Sequence, residues 1–253
     1  MESPPPLLEI RDLVAGYGSS KVLKGISLTL NAGEAVAVLG ANGAGKTTLM
    51  KSIVGLLPTL GGSVHFEGTE ITKRSCDERS AMGITLTPEG RAIFGTLSIE
   101  ENLLIGATRM RSKLSRSAFR HYRLESLDRV YGMFPVLGKR RRDRGANLSG
   151  GQQQMLAIGR ALMSDPKLLA LDEPCLGLSP KVGNEVYEIL GILREQGQSL
   201  IVVEESTKRA LDFVDRACVL KLGEKVLDSQ AEELRGDALI LEAYFGIDRS
   251  ESA

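Results

Sequence analysis

The sequence predicts an α/β fold with a buried, parallel-type sheet and a helical segment inserted into it. Three observations carry that prediction. Residues 34–39 (EAVAVL) are a short apolar run rich in small and β-branched residues, and the glycine-rich string GANGAGKT follows at once. Such a run suits a strand buried on both faces. A second apolar run, KLLAL at 167–171, ends in Asp172-Glu173-Pro174. Between them, from about 104 to 145, the pattern turns helical and polar, which reads as a lobe interrupting the α/β core.

Residues 7–17 and 22–30 read as strands ahead of the glycine-rich loop. The loop comprises Gly40, Ala41, Asn42, Gly43, Ala44, Gly45, Lys46 and Thr47, with Thr48 next. Its pattern is G-x-x-x-x-G-K-[ST], in which glycines let backbone N–H groups turn inward around phosphate oxygens. Residues 48–57 have helical apolar spacing, so a phosphate would lie on a helix N-terminus, where unpaired N–H groups and the dipole favour anions. Lys46 is placed to reach the β- and γ-phosphates, and Thr47 to ligate Mg²⁺. A merely packed glycine turn would not need strand before and helix after.

Residues 62–68 read as a further strand, with Gly61-Gly62 and Glu67-Gly68 as turns. Ser98-Ile-Glu-Glu101 is a capping box that opens a helix through Leu104. The basic run KRRRDR at 139–144 reads as a solvated helix end in a neutral chain. Ser149, Gly150 and Gly151 precede the helical stretch QQQMLAIGRALM, which starts at Gln152, and so present N–H groups to an anion. A carboxylate at the end of the 167–171 strand faces the crevice where ligands bind in open α/β sheets. Asp172 is thus placed to hold Mg²⁺, and Glu173 to polarise a water as general base. Helix 180–196, strand 199–204, helix 207–214, a strand pair around 217–228 and a terminal helix over 232–245 complete the order.

The strings GANGAGKT (40–47), LSGGQ (148–152) and LLALDEP (168–174) together resemble the ABC-type ATPases, over roughly residues 7–246. TPEGRAIFGTLSIEENL and LDEPCLGLSP resemble more narrowly the second ATPase of branched-chain (hydrophobic) amino-acid importers. The resemblance implies a P-loop NTPase fold of ABC type. A RecA-like core would span 7–88 and 160–246, with an N-terminal antiparallel β subdomain and an inserted helical lobe over 89–159. Residues 1–6 and 247–253 would be tails.

It also implies an ATPase that uses ATP and Mg²⁺ and powers transmembrane transport. Tyr17 matches the aromatic that stacks on adenine, although a core aromatic on a strand stays open as the alternative. Ser149, Gly150, Gly151 and Gln152 would bind the γ-phosphate of a partner's ATP. Glu89 stands where most relatives carry a Gln that touches Mg²⁺ and water, and Glu is itself a Mg²⁺ ligand. Glu205 stands where most carry a His, and an ionised carboxylate there accepts hydrogen bonds only. Ser179 replaces an Asp that often crosses the dimer interface. The implied partners are transmembrane subunits, a sister ATPase (heterodimer favoured over homodimer) and, indirectly, a periplasmic or extracellular solute-binding protein. The implied location is the cytoplasmic face of the inner membrane. A weakly hydrolysing regulatory subunit is the alternative that Glu205 keeps open.

Composition bounds the rest. The chain has 253 residues, enough for one large domain with an inserted lobe. Lys and Arg number 32, as do Asp and Glu, so bulk charge suggests no nucleic-acid or acidic-membrane partner. No stretch approaches 18 apolar residues, and the start MESPPPLL carries no secretory pattern. Cys76, Cys175 and Cys218 are few and widely spaced, which fits a reduced compartment. Cys175, beside the acidic pair, is either a redox switch or, more simply, a small packed residue. Soluble ABC machines acting on DNA ends or ribosomes need a long coiled-coil insert or two ATPase units, and neither is present. Phe94 and Leu97 are apolar in a loop, which suggests either docking to a membrane subunit over 91–104 or burial in the lobe.

Overall fold

The computed structural model of the chain describes residues 5–205 and 207–236. The backbone forms two compact units, Met1–Arg79 with Arg194–Ala253, and Ser80–Leu193.

The first unit opens with β1 (Leu8–Tyr17) and β2 (Ser20–Leu30), then β3 (Ala35–Leu39) and α1 (Lys46–Ile53), followed by β4 (Thr59–Phe66) and β5 (Thr69–Glu70). α2 (Cys76–Met82) leads into the second unit. There come β6 (Ile84–Thr87), α3 (Ile99–Gly106), α4 (Arg116–Met133), α5 (Pro135–Lys139), α6 (Gly150–Leu162), β7 (Leu168–Asp172) and α7 (Pro180–Glu195). The chain then completes the first unit with β8 (Ser199–Glu204), α8 (Thr207–Phe213), β9 (Arg216–Lys221), β10 (Glu224–Gln230) and α9 (Ala231–Gly236). The expected helix over 232–245 is seen only as far as Gly236, and its remainder, like the tail 247–253, lies outside the described residues.

Within the first unit, β2, β1, β4 and β5 form an antiparallel sheet. β3 lies parallel to both β8 and β9, and β10 closes antiparallel on β9. Every residue of β3 and β8 is buried, as the unbroken apolar runs predict for strands covered on both faces. In the second unit β6 and β7 pair in parallel. β7 is buried throughout, and α6 packs on β6 with a buried face from Gln154 to Leu162.

Two local readings change. Gly61 and Gly62 lie inside β4 rather than in a turn. A Cβ on Gly62 would fall 2.3 Å from the Asp12 carbonyl oxygen, where β1 bulges with Asp12 at φ 46°. The glycine admits a close backbone approach instead of reversing the chain. Glu67 and Gly68, at φ 50° and 74°, do form the turn between β4 and β5. β6 and α2 had no periodic signal, because β6 is four residues long and half of it is Thr.

Among the described residues no helix is long and apolar enough to cross a membrane.

Candidate functional site

The phosphate loop sits in the first unit, between the end of β3 and the start of α1. Gly45 is the N-cap of α1 at φ 107°, and no side chain caps the helix. Its first N–H groups are therefore oriented for an external anion. The Lys46 ammonium, buried at 4% exposure, donates to the Gly40 carbonyl oxygen at 2.8 Å and folds over the loop. The loop is braced from below: the Gly223 N–H donates to the Ala44 carbonyl oxygen at 3.1 Å, and a Cβ on Gly40 would meet the Leu220 oxygen at 2.4 Å. The tip of the β9–β10 hairpin, Leu222-Gly223, thus sets the floor of the loop, a support that sequence spacing did not indicate. Gly43, at φ 80° with open space where a Cβ would be, faces outward with Ala41 and Asn42.

Tyr17 ends β1 half exposed, with the Lys51 ammonium 5.9 Å from its ring centre. The ring is therefore accessible and is not a core aromatic. Glu205 is exposed and follows β8 directly. Because β8 is parallel to β3 with Glu204 opposite Leu39, the chain emerges at Glu205 on the same edge as the phosphate loop.

In the second unit Asp172 ends β7 at 3% exposure. Glu173 is half-buried and adopts φ 49°, a left-handed conformation that costs a non-glycine residue and concentrates at working sites. Cys175 is 6% exposed, with its Sγ donating to the Gly183 carbonyl oxygen, so the packed-residue reading holds over a redox switch. Ser179 is exposed just ahead of α7.

Ser149 is the N-cap of α6. Its Oγ accepts from the Gln152 N–H, and the Gln152 side chain reciprocates by accepting from the Ser149 N–H at 3.2 Å. As Oγ serves there as acceptor, its own proton is available to donate to a ligand. Gln152 is fixed by Arg140, whose guanidinium donates to it at 2.9 Å and also binds Asp143 at 2.8 Å. One arginine of the basic run therefore organises the signature instead of merely facing solvent. Gly151 is required by packing, since a Cβ there would fall 2.1 Å from Val182 Cγ1. Glu89 is exposed, and the loop after it is strained: Gly90, Arg91 and Ala92 have φ of 79°, 66° and 47°. The Arg160 guanidinium of α6 donates to the Ala92 and Arg91 carbonyl oxygens, a clamp that the sequence hinted at only by a cation inside an apolar helical run. Arg91 itself reaches the Leu176 carbonyl oxygen at 3.4 Å and lies over Gly150.

A family model described as ABC transporter matches residues 23–176. The chain belongs to the ABC transporter ATP-binding family. Among relatives, the high-affinity branched-chain amino acid transport ATP-binding protein BraG of Pseudomonas aeruginosa is 39% identical over 230 residues, covering 91% of this chain and 95% of BraG. The lipopolysaccharide export system ATP-binding protein LptB of Haemophilus influenzae is 31% identical over 240 residues, covering 95% and 97%. A solved nucleotide-free ATP-binding cassette from an ABC transporter superposes with a TM-score of 0.81 at 26% identity, covering 94% of this chain and 98% of its own. The ADP conformation of MJ1267, another such cassette, superposes with a TM-score of 0.79 at 27% identity, covering 96% and 99%.

As an ABC ATPase, the chain has an α/β fold of the P-loop type and hydrolyses ATP. Nothing in the relatives favours the weakly hydrolysing regulatory subunit. Thr47 in the first unit offers a hydroxyl, and Asp172 and Glu89 in the second offer carboxylates; each is a hard oxygen donor of the kind Mg²⁺ takes. The count of protein donors is small, and no cluster of three or more His, Cys, Asp or Glu occurs among the described residues.

Proposed function

We propose that the chain is the ATP-hydrolysing subunit of an ABC importer for branched-chain amino acids or a related small solute. The observation that supports the importer reading is the 39% identity with BraG along nearly the whole of both chains. The 31% identity with an export ATPase makes the solute the point to test.

In this reading the cassette pairs with a sister ATPase, so that each ATP lies between the phosphate loop of one subunit and the signature of the other. Tyr17 stacks on adenine. The N–H groups of residues 40–48 and the Lys46 ammonium bind the phosphates. Ser149, Gly150, Gly151 and Gln152 close on the γ-phosphate held by the sister subunit. Glu173 takes a proton from water as its oxygen attacks the γ-phosphorus, and the bond to the bridging oxygen breaks to give ADP and inorganic phosphate. Thr47, Asp172 and Glu89 are the residues that would hold Mg²⁺, which would supply charge neutralisation to the phosphates. The helical lobe expected over 89–159 carries the change to transmembrane subunits through residues 91–104. A solute-binding protein outside the membrane delivers the cargo, and the chain works at the cytoplasmic face.

The test is uptake of labelled leucine, isoleucine and valine in cells deleted for the chain. Loss of uptake, restored by the native chain and not by Glu173→Gln, supports the reading. Unchanged uptake with an altered lipopolysaccharide surface would identify an exporter instead.

A further inference from the structure

The balanced net charge of the chain hides a strong segregation. Residues 107–144 hold twelve Lys and Arg against three Asp and Glu, a surplus of nine in a chain whose 32 cations and 32 anions otherwise cancel. The remainder of the chain is therefore acidic by the same amount. The surplus is concentrated where the fold does not favour it. α4 begins at Arg116 with no acidic residue in its first turn, so Arg116 stands at the positive end of the helix dipole, which repels cations. Arg116, Arg120 and Arg123 recur at intervals of four and three, which puts them along one helical face.

Among the described residues, Arg111, Arg116 and Arg120 are exposed and have no ion-pair partner, whereas Arg129, Arg140 and Arg141 each have one. Lys113, in the turn ahead of α4, is held below its ordinary range by burial first and then by the charges of Arg109 and Lys167, against the opposing charge of Asp165. A shallow depression on this face is lined by Arg116, Ser117, Arg120, His121 and Leu124, and Leu124 is 56% exposed among the cations. His121 pairs with Glu125, one turn further along α4, at 3.1 Å.

We propose that this basic face of α4 and the turn before it docks on the anionic phospholipid headgroups of the membrane. The charge is complementary, since an anionic leaflet attracts clustered Lys and Arg, and an apolar side chain among them can enter the headgroup boundary. The alternative polyanion, single-stranded nucleic acid, binds through exposed rings on which bases stack. Here the local ring, Phe119, is only half exposed and is covered by Arg123 at 5.9 Å. The inference rests on the proposed function in one respect: transmembrane partners bring the chain to the bilayer. There the basic face adds a second attachment that orients the helical lobe.

The test uses the full chain without its partners, sedimented with vesicles of phosphatidylcholine alone or mixed with phosphatidylglycerol. Binding is expected only to the mixed vesicles and is lost as salt is raised. Each cation near such a surface contributes about fivefold, so Arg116→Gln with Arg120→Gln lowers partitioning about 30-fold while the ATPase rate of the soluble protein is unchanged. Should that pair not fold, Arg111→Gln alone is expected to lower it about fivefold. Equal partitioning on both vesicles, or native partitioning by the folded variants, overturns the proposal. So does displacement by a single-stranded RNA oligomer that binds more tightly than the vesicles. An inactive ATPase with intact vesicle binding would count against the proposed function and leave this surface standing.

Discussion

Arg160 and Ala92 are joined by a hydrogen bond of 2.7 Å from the guanidinium Nη1 to the carbonyl oxygen, although 67 residues separate them. The second nitrogen reaches the Arg91 oxygen at 3.1 Å, and the guanidinium lies 5.4 Å from the centre of the Phe94 ring. Left-handed backbone costs a non-glycine residue about 1–2 kcal/mol, and both Arg91 and Ala92 adopt it. Two hydrogen bonds from a charged donor, each worth about 1.5–3 kcal/mol, are of the size needed to hold that turn. Burial lowers the Arg160 pKa, yet the guanidinium stays charged at any physiological pH. Arg160→Met is expected to destabilise the protein by about 2–3 kcal/mol. Ala92→Gly, which removes the left-handed penalty, should restore part of that loss. A double-mutant cycle by urea unfolding measures the coupling, and strictly additive effects would show that Arg160 does not hold the turn.

Phe94 is half exposed at the end of this turn, clasped through its backbone by the Asn102 side chain, which both accepts from Phe94 N and donates to Phe94 O. Phe94→Asp places a carboxylate opposite Arg160, so the fold should survive through a new ion pair. The apolar surface proposed for docking is lost. The expected result is normal ATP affinity by calorimetry and no co-purification with the transmembrane subunits. Retained assembly would move the docking surface elsewhere.

Arg79 is 2% exposed and donates to the carbonyl oxygens of Ser52, Ile53, Thr72 and Arg74, without a carboxylate among them. Two of those oxygens end α1, the helix whose opposite end carries the phosphate loop. Arg79→Met fills the space but takes the guanidinium from four carbonyls, of which Ser52 keeps the Gly55 N–H at 3.3 Å. A loss of about 2–4 kcal/mol is expected in urea unfolding. A loss below about 0.5 kcal/mol, the scale of an ordinary surface substitution, would mean that water replaces the guanidinium.

Glu173→Gln keeps the side chain's volume and removes its basicity. Hydrolysis should fall by about 10²- to 10⁴-fold. Nucleotide binding remains, and the ATP-bound pair should accumulate with the sister subunit or with itself. Light scattering with and without MgATP reads the mass. A monomer under both conditions, with the sister subunit present, would count against the shared nucleotide site.

The parts of the site that follow from local backbone rules were legible in the sequence. The strand, glycine loop and helix at 35–53 are specified by spacing alone, and the Ser98 capping box forms as its pattern predicts, with hydrogen bonds from Ser98 holding the Glu101 carboxyl below its usual range. The parts made by long-range side-chain contacts were not. Arg79, Arg140 and Arg160 each act on backbone or side chains brought close by the fold, and no spacing rule links Arg160 to Ala92 or the Gly223 turn to Ala44. Gly62 misled for the same reason: a glycine in a strand and a glycine in a turn look alike until the opposing strand is known.

Glu205 joins both kinds of information. Its identity is a departure visible in the sequence, and its position follows from the register that sets Glu204 beside Leu39 on parallel strands. An exposed carboxylate at that edge faces the same side as the phosphate loop, where charge develops during hydrolysis. Two like charges about 4 Å apart repel by roughly 4 kcal/mol at an effective dielectric of 20. The Lys46 ammonium opposes most of this, and a residue of about 1 kcal/mol would slow turnover about fivefold. Glu205→Gln removes the charge and supplies a donor, and Glu205→His does the same with a ring. Both should raise the steady-state rate of phosphate release by about that factor. Stability should stay unchanged, because the side chain is exposed. If all three proteins release phosphate at equal rates, Glu205 points away from the γ-phosphate, and the substitution is silent in the reaction.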